Sequence, residues 1–243
     1  MDDTKSLVRI GDLAGSLAID QPLVTVEVTE REAALLAVHQ HESALKGVHE
    51  AGHTVVAGVL GIRVKSADVG IRHGGETTLA LEDETDVAFR TATQMKDLVV
   101  IMLAGMEAER HFLGEPTDGS SGDLLEATNQ CLAIVGAGME PAAPAMSHRA
   151  FGAYSSLPHP NWMVDQIAKA VDERMKQSRE RSAELVTAHA DQILSFARLL
   201  VGAPSRRLSD DKLDDAMASI GIELPAPAAP IGGMRRTRRR RRA

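Results

Sequence analysis

Apolar positions recur every three to four residues over most of this chain, which is the pattern of α-helices that bury one face. The pattern predicts helices over residues 30–41, 43–61, 91–113, 123–136 and 163–201, the last either continuous or bent, and a short helix that follows Ser209 and ends by Gly221. Residues 64–81 alternate instead on both sides of His73-Gly74-Gly75, which predicts a β-hairpin, and residues 23–28 alternate as in a short strand. The expected fold class is therefore mainly α, with a small β-hairpin or sheet beside the helix of residues 43–61.

Turn-forming and charged stretches divide the chain into segments. An acidic linker is expected at residues 82–90, and a loop rich in Pro and Gly at residues 136–160. From residue 225 the composition turns to Pro, Ala and Gly and then to Arg, which is typical of a disordered tail. We expect an N-terminal extension over residues 1–42, one folded domain over residues 43–221, and a linker with an Arg-rich tail over residues 222–243.

The composition favours a core built from aliphatic side chains, because 44% of the residues are hydrophobic while only 2% are aromatic. No apolar run reaches the roughly 18 residues that a membrane span needs. The single cysteine, Cys131, cannot form an internal disulfide and is expected to be a buried structural residue. We therefore expect a cytoplasmic protein without a transmembrane segment.

Charge is divided unevenly between the body of the chain and its C-terminal end. The formal net charge is −7, and taking the seven arginines of residues 235–242 out of that balance leaves −14 on the rest. Such a cationic arm could bind a nucleic acid, an anionic membrane or an acidic protein surface. It could equally be a solubilising tail that folds back loosely on the acidic body, and the sequence leaves both interpretations open.

Residues 49–53 read His-Glu-Ala-Gly-His, and this spacing is typical of zinc hydrolases. On a helix, His49 and His53 lie one above the other on the same face, so that both imidazoles can bind one metal ion. Glu50 lies between them, where a carboxylate can accept a proton from water activated by the metal. The segment therefore predicts a catalytic zinc helix.

A catalytic zinc site has three protein ligands and one open position, so a third ligand must lie outside the motif. The continuation typical of another group of zinc peptidases would place His at position 59, where this chain has Val59. The strongest candidate is Asp123, at the start of the helix that follows a Gly/Ser-rich loop. Asp118 and Glu126 are the alternatives, and a helix-capping role for Asp123 also stays open.

Three segments, in the same order, resemble peptidase family M41, the peptidase domain of FtsH. The segment from His49 to Ala57 is similar to the HEAGH helix of that family, and residues 103–110 (LAGMEAER) are similar to its L-[AG]-G-x-x-A-E-E segment. Residues 120–128 (SSGDLLEAT) resemble T-G-A-S-N-D-[IL]-x-x-A-T, whose Asp is the third zinc ligand and falls on Asp123. The resemblance covers about residues 45–218.

The resemblance implies an M41-like helical domain and a zinc-dependent endopeptidase. Zinc would be held by His49, His53 and Asp123, and Glu50 would be the general base. The resemblance also implies a polypeptide substrate that can pair with a strand edge, and assembly as a homo-oligomer, a hexamer in the family. It suggests that Glu107 orients a ligand histidine, with a solvated position on the helix surface as the alternative.

Two departures from the family pattern bear on function. The chain contains no G-x-x-x-x-G-K-[ST] sequence, so no nucleotide-binding P-loop is present and any ATPase partner is expected to act in trans. Arg110 stands where the family usually has a second acid. One alternative to a peptidase is a catalytically idle scaffold of the same fold, which uses the Arg-rich tail to bind a polyanion or partner. The other is a nucleic-acid-associated factor, which the low aromatic content disfavours because few side chains could stack on bases.

Overall fold

A computed structural model describes residues 5–9, 25–70, 75–80, 90–140 and 161–226. Its helices are α1 (Glu30–Val59), α2 (Ala92–Leu113), α3 (Ser121–Gly136), α4 (Asn161–Ala188), α5 (Ala190–Gly202) and α6 (Asp210–Ser219). Its strands are β1 (Lys5–Arg9), β2 (Thr25–Thr29), β3 (Val64–Asp68), β4 (Glu76–Leu79) and β5 (Arg207–Ser209). The prediction of a mainly α fold with a small sheet is confirmed. Most of the expected acidic linker and of the Pro/Gly-rich loop lies outside the described residues. The Arg-rich tail lies entirely outside them.

Helix α1 is continuous over 30 residues, whereas the sequence predicted two helices that meet near residue 42. The predicted break is wrong because Ser43 does not begin a second helix. It is buried, and its hydroxyl oxygen accepts a hydrogen bond from Arg206 Nη1 at 2.7 Å. Residues 30–46 also contain no glycine or proline that could interrupt the helix. The expected boundary between residues 42 and 43 therefore falls inside a helix. The division of the chain into an extension, a folded domain and a tail stays a prediction.

Two antiparallel sheets form within the described residues. β1 pairs with β2, with Lys5 opposite Thr29 at one end and Arg9 opposite Thr25 at the other. The second sheet has the order β4-β3-β5, so β4 is an edge strand and β3 is central. β3 and β4 form the predicted hairpin, although residues 71–74 of their connection lie outside the described residues. β5 has only three residues and was not predicted, because a strand this short is specified by its pairing with β3.

Local capping explains both ends of α2, which are where the sequence predicted them. The Thr91 hydroxyl oxygen accepts a hydrogen bond from the Gln94 main-chain N–H, and the Gln94 side chain accepts one from the Thr91 N–H. Gly114 ends the helix in the left-handed conformation with φ 87°, which glycine adopts without a steric penalty.

After α2, the start of α3 differs from the prediction, while the long stretch that follows takes one of its two predicted forms. A 3₁₀ turn over Asp118–Ser120 leads into α3, which therefore begins at Ser121 rather than at Asp123. The stretch at residues 163–201, predicted as either one helix or two with a bend, is two helices, α4 and α5, which meet at His189, so the second alternative is observed.

Helix α1 lies at the centre of the fold. One buried cluster joins it to α2, α5, α6 and the sheet, and its fully buried members include Val55, Val56, Phe196, Leu200 and Leu213. A second cluster joins α2 to α3 and includes Val99, Leu103, Ala127, Cys131 and Ile134. Across the described ranges, no helix combines the length and the apolarity of a membrane span. Because Val48, Ala51, Val55 and Val56 belong to the first buried cluster, the half of α1 that carries the histidine motif is enclosed by apolar packing.

Candidate metal centre

Three side chains from two helices converge at one point. His49 and His53 lie one turn apart on α1, and Asp123 lies in the first turn of α3. His49 Nε2 is 3.0 Å from His53 Nε2 and 2.9 Å from Asp123 Oδ2, and His53 Nε2 is 3.4 Å from the same oxygen. Both histidines are almost fully buried, whereas the Asp123 side chain is 32% exposed, so solvent reaches the group beside Asp123.

The outer ring nitrogens indicate where the histidine protons lie. His53 Nδ1 is 2.7 Å from the Ile101 carbonyl oxygen, which can only accept, so Nδ1 carries the hydrogen. His49 Nδ1 is 2.7 Å from Glu109 Oε1 and donates to that carboxylate. In the neutral imidazoles both Nε2 atoms therefore present lone pairs to each other and to the carboxylate of Asp123. Acceptors that face one another at this range need a proton or a metal ion between them.

This donor set fits zinc. In a tetrahedral site with zinc–ligand distances of about 2.0–2.1 Å, neighbouring ligand atoms are about 3.3 Å apart. The three separations of 2.9, 3.0 and 3.4 Å span that value. Two imidazoles and one carboxylate also have the donor types and the number of a catalytic zinc site, which leaves one position open. Asp118 and Glu126, the alternatives for the third ligand, are exposed and lie outside this group of side chains.

The electrostatics of the group favour a positive charge. Burial acts to lower the pKa of His49, but the hydrogen bonds to the Asp123 and Glu109 carboxylates outweigh it and raise that pKa to about 10. Burial acts to raise the pKa of Asp123, and hydrogen bonds to His49 and His53 instead hold it well below its usual range. A proton and a metal ion would therefore compete for the same place, so a metal ion bound there would displace a proton.

Glu50 is buried beside the two histidines, and its carboxylate is directed toward strand β4. Its Oε2 accepts a hydrogen bond of 2.6 Å from the Thr77 hydroxyl. Burial raises the pKa of Glu50, although the charges of the histidines and the Thr77 hydrogen bond act against the rise. A carboxylate with a raised pKa is a better proton acceptor at neutral pH than an exposed one.

Glu109 is a site residue that the sequence interpretation missed. Its carboxylate is 3% exposed and accepts the hydrogen of His49 Nδ1. It also accepts hydrogen bonds from the Thr117 main-chain N–H at 2.5 Å, from the Thr117 hydroxyl at 3.1 Å and from the Ser120 hydroxyl at 3.4 Å. Burial acts to raise the pKa of Glu109, and these partners, His49 first, lower it overall. One carboxylate thus connects the first histidine to the turn that leads into Asp123.

The expectation that Glu107 orients a histidine is wrong, and so is its alternative of a solvated position. Glu107 is only 4% exposed, and its oxygens pair with Arg179 Nε at 2.8 Å and with Arg110 Nε at 3.3 Å. Arg179 lies on α4, so its ion pair holds α2 against α4 rather than against the motif, and Arg110 lies three residues further along α2 itself. The role that the resemblance suggested for Glu107 is instead that of Glu109, two residues further along the same helix.

The sequence profile of peptidase family M41 matches residues 36–205 of this chain. The chain belongs to peptidase family M41. The resemblance of the three motif segments is thereby confirmed, over a range that includes both histidines, Glu50, Glu109 and Asp123.

This M41 domain is similar to curated proteins described as ATP-dependent zinc metalloproteases. It is 31% identical to "ATP-dependent zinc metalloprotease FtsH 3" of Sphaerobacter thermophilus over 205 residues, which are 82% of this chain and 38% of that protein. It is 27% identical to the FtsH of Hahella chejuensis over 68% of this chain, and 26% identical to that of Bacillus subtilis over 73%. The chain spans 38%, 28% and 32% of the three relatives' lengths.

Helix α2 of the M41 domain meets the histidines along one face. Ile101, Gly105 and Glu109 are spaced four residues apart, so they form a single row on the helix. The first supplies a carbonyl to His53, the last a carboxylate to His49, and a Cβ at Gly105 would lie only 2.5 Å from His53 Nε2. Glu107 is two positions out of this row and points elsewhere. The row is the sequence signal that could have distinguished Glu109 from Glu107.

Proposed function

We propose that this M41 domain is a zinc-dependent metalloendopeptidase, in which His49, His53 and Asp123 hold zinc and Glu50 is the general base. The observation that supports the proposal most directly is the convergence of three donor atoms within 3.4 Å of one another, beside a buried carboxylate. The names of the three relatives, each an ATP-dependent zinc metalloprotease, agree with both zinc and proteolysis.

When bound, zinc supplies Lewis acidity, which polarises a carbonyl group and makes water more acidic. Glu50 accepts a proton from the water that attacks the peptide carbonyl and later donates it to the leaving amine nitrogen. Burial brings the pKa of Glu50 upward, toward the pH range in which it must both accept and release that proton. Glu109 keeps the His49 ring in the tautomer whose Nε2 is free to bind metal.

The proposed substrate is an extended polypeptide. Among the described strands, β4 lies at the edge of its sheet, and its residue Thr77 contacts Glu50, so this edge lies beside the proposed base. An extended peptide can pair with such an edge through main-chain hydrogen bonds, which depend little on side-chain sequence. Cleavage of unfolded or flexible segments requires no nucleotide at the site. Assembly as a hexamer and an ATPase acting in trans stay predictions from the family resemblance.

The test is cleavage of fluorescently labelled casein by the zinc-loaded full chain without nucleotide, in comparison with Glu50→Gln. The amide that replaces the carboxylate cannot carry the proton, so this variant should retain one zinc per chain and lose cleavage. His53→Ala should lose zinc as well, measured by inductively coupled plasma mass spectrometry. Equal cleavage by the wild type and Glu50→Gln, both with zinc, would refute the assignment. A zinc-loaded wild type that binds casein without cleaving it would favour the idle scaffold.

A further inference from the structure

The carboxylate of Glu50, which extends from α1, forms a hydrogen bond with a residue of the neighbouring sheet. Thr77 Oγ1 lies 2.6 Å from Glu50 Oε2, 3.3 Å from the Glu50 carbonyl oxygen and 3.4 Å from Thr54 Oγ1. A threonine hydroxyl has one hydrogen to donate, and the charged oxygen at the shortest distance receives it. The hydroxyl of Thr54, which is fully buried one helical turn after Glu50, is then placed to donate to Thr77 Oγ1.

The strand register explains why Thr77 faces α1. Thr77 pairs directly with Ala67 of β3, which is fully buried, and paired residues project to the same face of a sheet. Thr78 and Glu76 project to the opposite face, where the Thr78 hydroxyl approaches the Glu76 carboxylate at 3.4 Å. A shift of one residue in β4 would therefore turn Thr77 to the face opposite Glu50.

Gly75 limits the other side of the same carboxylate. A Cβ at this position would lie 2.7 Å from Glu50 Cδ and would overlap Oε1. The main chain just before β4 therefore passes against the carboxylate at Gly75, and the side-chain hydroxyl of Thr77 donates a hydrogen bond to it. With Oε2 occupied by the hydroxyl, Oε1 is the oxygen left to exchange a proton.

We propose that Thr77 is a positioning residue, which fixes the plane of the Glu50 carboxylate by binding Oε2 and leaves Oε1 to act on the substrate water. This inference rests on the proposed peptidase function, since Thr77 acts only through Glu50. The hydroxyl has no direct part in binding metal, so its loss should change the rate of the chemical step and leave the metal content as it is. A general base held out of place by a fraction of an ångström loses rate rather than affinity for substrate.

The experiment compares Thr77→Val, Thr77→Ser and the wild type in zinc-loaded full chain with an internally quenched peptide. Valine keeps the β-branched shape of threonine and removes the hydroxyl, while serine keeps the hydroxyl. Thr77→Val should lower kcat about 10- to 100-fold, the range typical of residues that orient a catalytic group, with KM within about twofold. Thr77→Ser should restore kcat to within about threefold. Thr187→Val, at an exposed position on α4, is the matched control and should behave as wild type.

The outcomes separate this inference from the proposed function. If Glu50→Gln is inactive while Thr77→Val keeps the wild-type kcat, Thr77 has no positioning role and the peptidase assignment stands. If Thr77→Val loses zinc along with activity, or if Thr77→Ser is as impaired as Thr77→Val, the residue is structural and the inference is overturned. If Glu50→Gln cleaves as fast as the wild type, the peptidase assignment and the role of Thr77 are both refuted.

Discussion

Replacing Gly105 by alanine adds one methyl group at the point where α2 comes closest to the two histidines. The added Cβ would lie 2.5 Å from His53 Nε2 and 2.6 Å from His49 Nε2. Carbon and nitrogen atoms in contact are normally at least about 3.4 Å apart, so each nitrogen would have to move by roughly 0.8–0.9 Å. The tolerance for ligand distances in a metal site is about 0.2 Å.

The two rings cannot make this movement without losing other bonds. His49 Nδ1 is bound to Glu109, and His53 Nδ1 is bound to the Ile101 carbonyl oxygen, both at 2.7 Å. Rotating either ring away from Gly105 weakens one of these bonds and turns its Nε2 out of the donor group. We therefore expect Gly105→Ala to lower zinc affinity about 10- to 100-fold, which is the loss typical when a residue that orients a metal ligand is removed.

The assay is a competition titration of zinc against a chromophoric chelator, with circular dichroism to check that the variant is folded. Gly122→Ala is the matched control, because a Cβ there meets nothing within 4 Å. Alanine is also the better helix former, so this control should bind zinc as the wild type does and melt at the same or a slightly higher temperature. Zinc affinity of folded Gly105→Ala within threefold of the wild type would show that the close approach of α2 is not what shapes the site.

Three further predictions concern other parts of the chain. Glu109→Leu should lower zinc affinity about 10- to 100-fold in the same titration, because His49 loses the acceptor for its Nδ1 hydrogen. Burial raises the pKa of Cys131 to about 11, so Ellman's reagent at pH 8 should react slowly with the folded protein and rapidly with protein unfolded in 6 M guanidinium. The folded pKa lies above the ordinary value of 9.0, so the contribution of the neutral thiol to stability should be present below pH 9 and should be lost as the pH rises toward 11. Deleting residues 235–243 should abolish salt-sensitive binding to DNA or anionic vesicles and leave casein cleavage unchanged; unaltered binding would mark the arginines as a solvated tail.

Features set by local sequence could be predicted, and the histidine pair at the centre of the candidate metal site is among them. The pairing of His49 with His53 follows from a spacing of four on a helix, and the ends of α2 follow from Thr91 and Gly114. In each case the partners are a few residues apart, so the helix geometry alone brings them together. Asp123 is different, because it is 74 positions from His49 in sequence. The residues alone made it the strongest of three candidate carboxylates, and the family resemblance was needed to single it out.

The errors have a common physical origin in long-range packing. Serine is a common helix-capping residue, but the Ser43 hydroxyl oxygen accepts a hydrogen bond from Arg206, and α1 continues through Ser43. Glu107 and Glu109 are chemically identical, and only the rotation of α2 against α1 decides which of them reaches a histidine. Strand β5 is only three residues long, too short for a recognisable alternation of apolar and polar residues, and it is extended because it pairs with β3.

Gly52, inside the histidine motif, explains how α2 comes close enough to contact both histidines of the candidate metal site. A Cβ at Gly52 would lie 2.6 Å from the Ala104 carbonyl oxygen and 2.8 Å from Ala108 Cβ, so α1 and α2 cross almost in main-chain contact. At this separation the Ile101 carbonyl oxygen comes within 2.7 Å of His53 Nδ1, which a larger residue at position 52 would prevent. The chemistry of a zinc ligand pair requires only the two histidines and their spacing. The glycine between them is instead required by the neighbouring helix, which must come close enough to hold both rings.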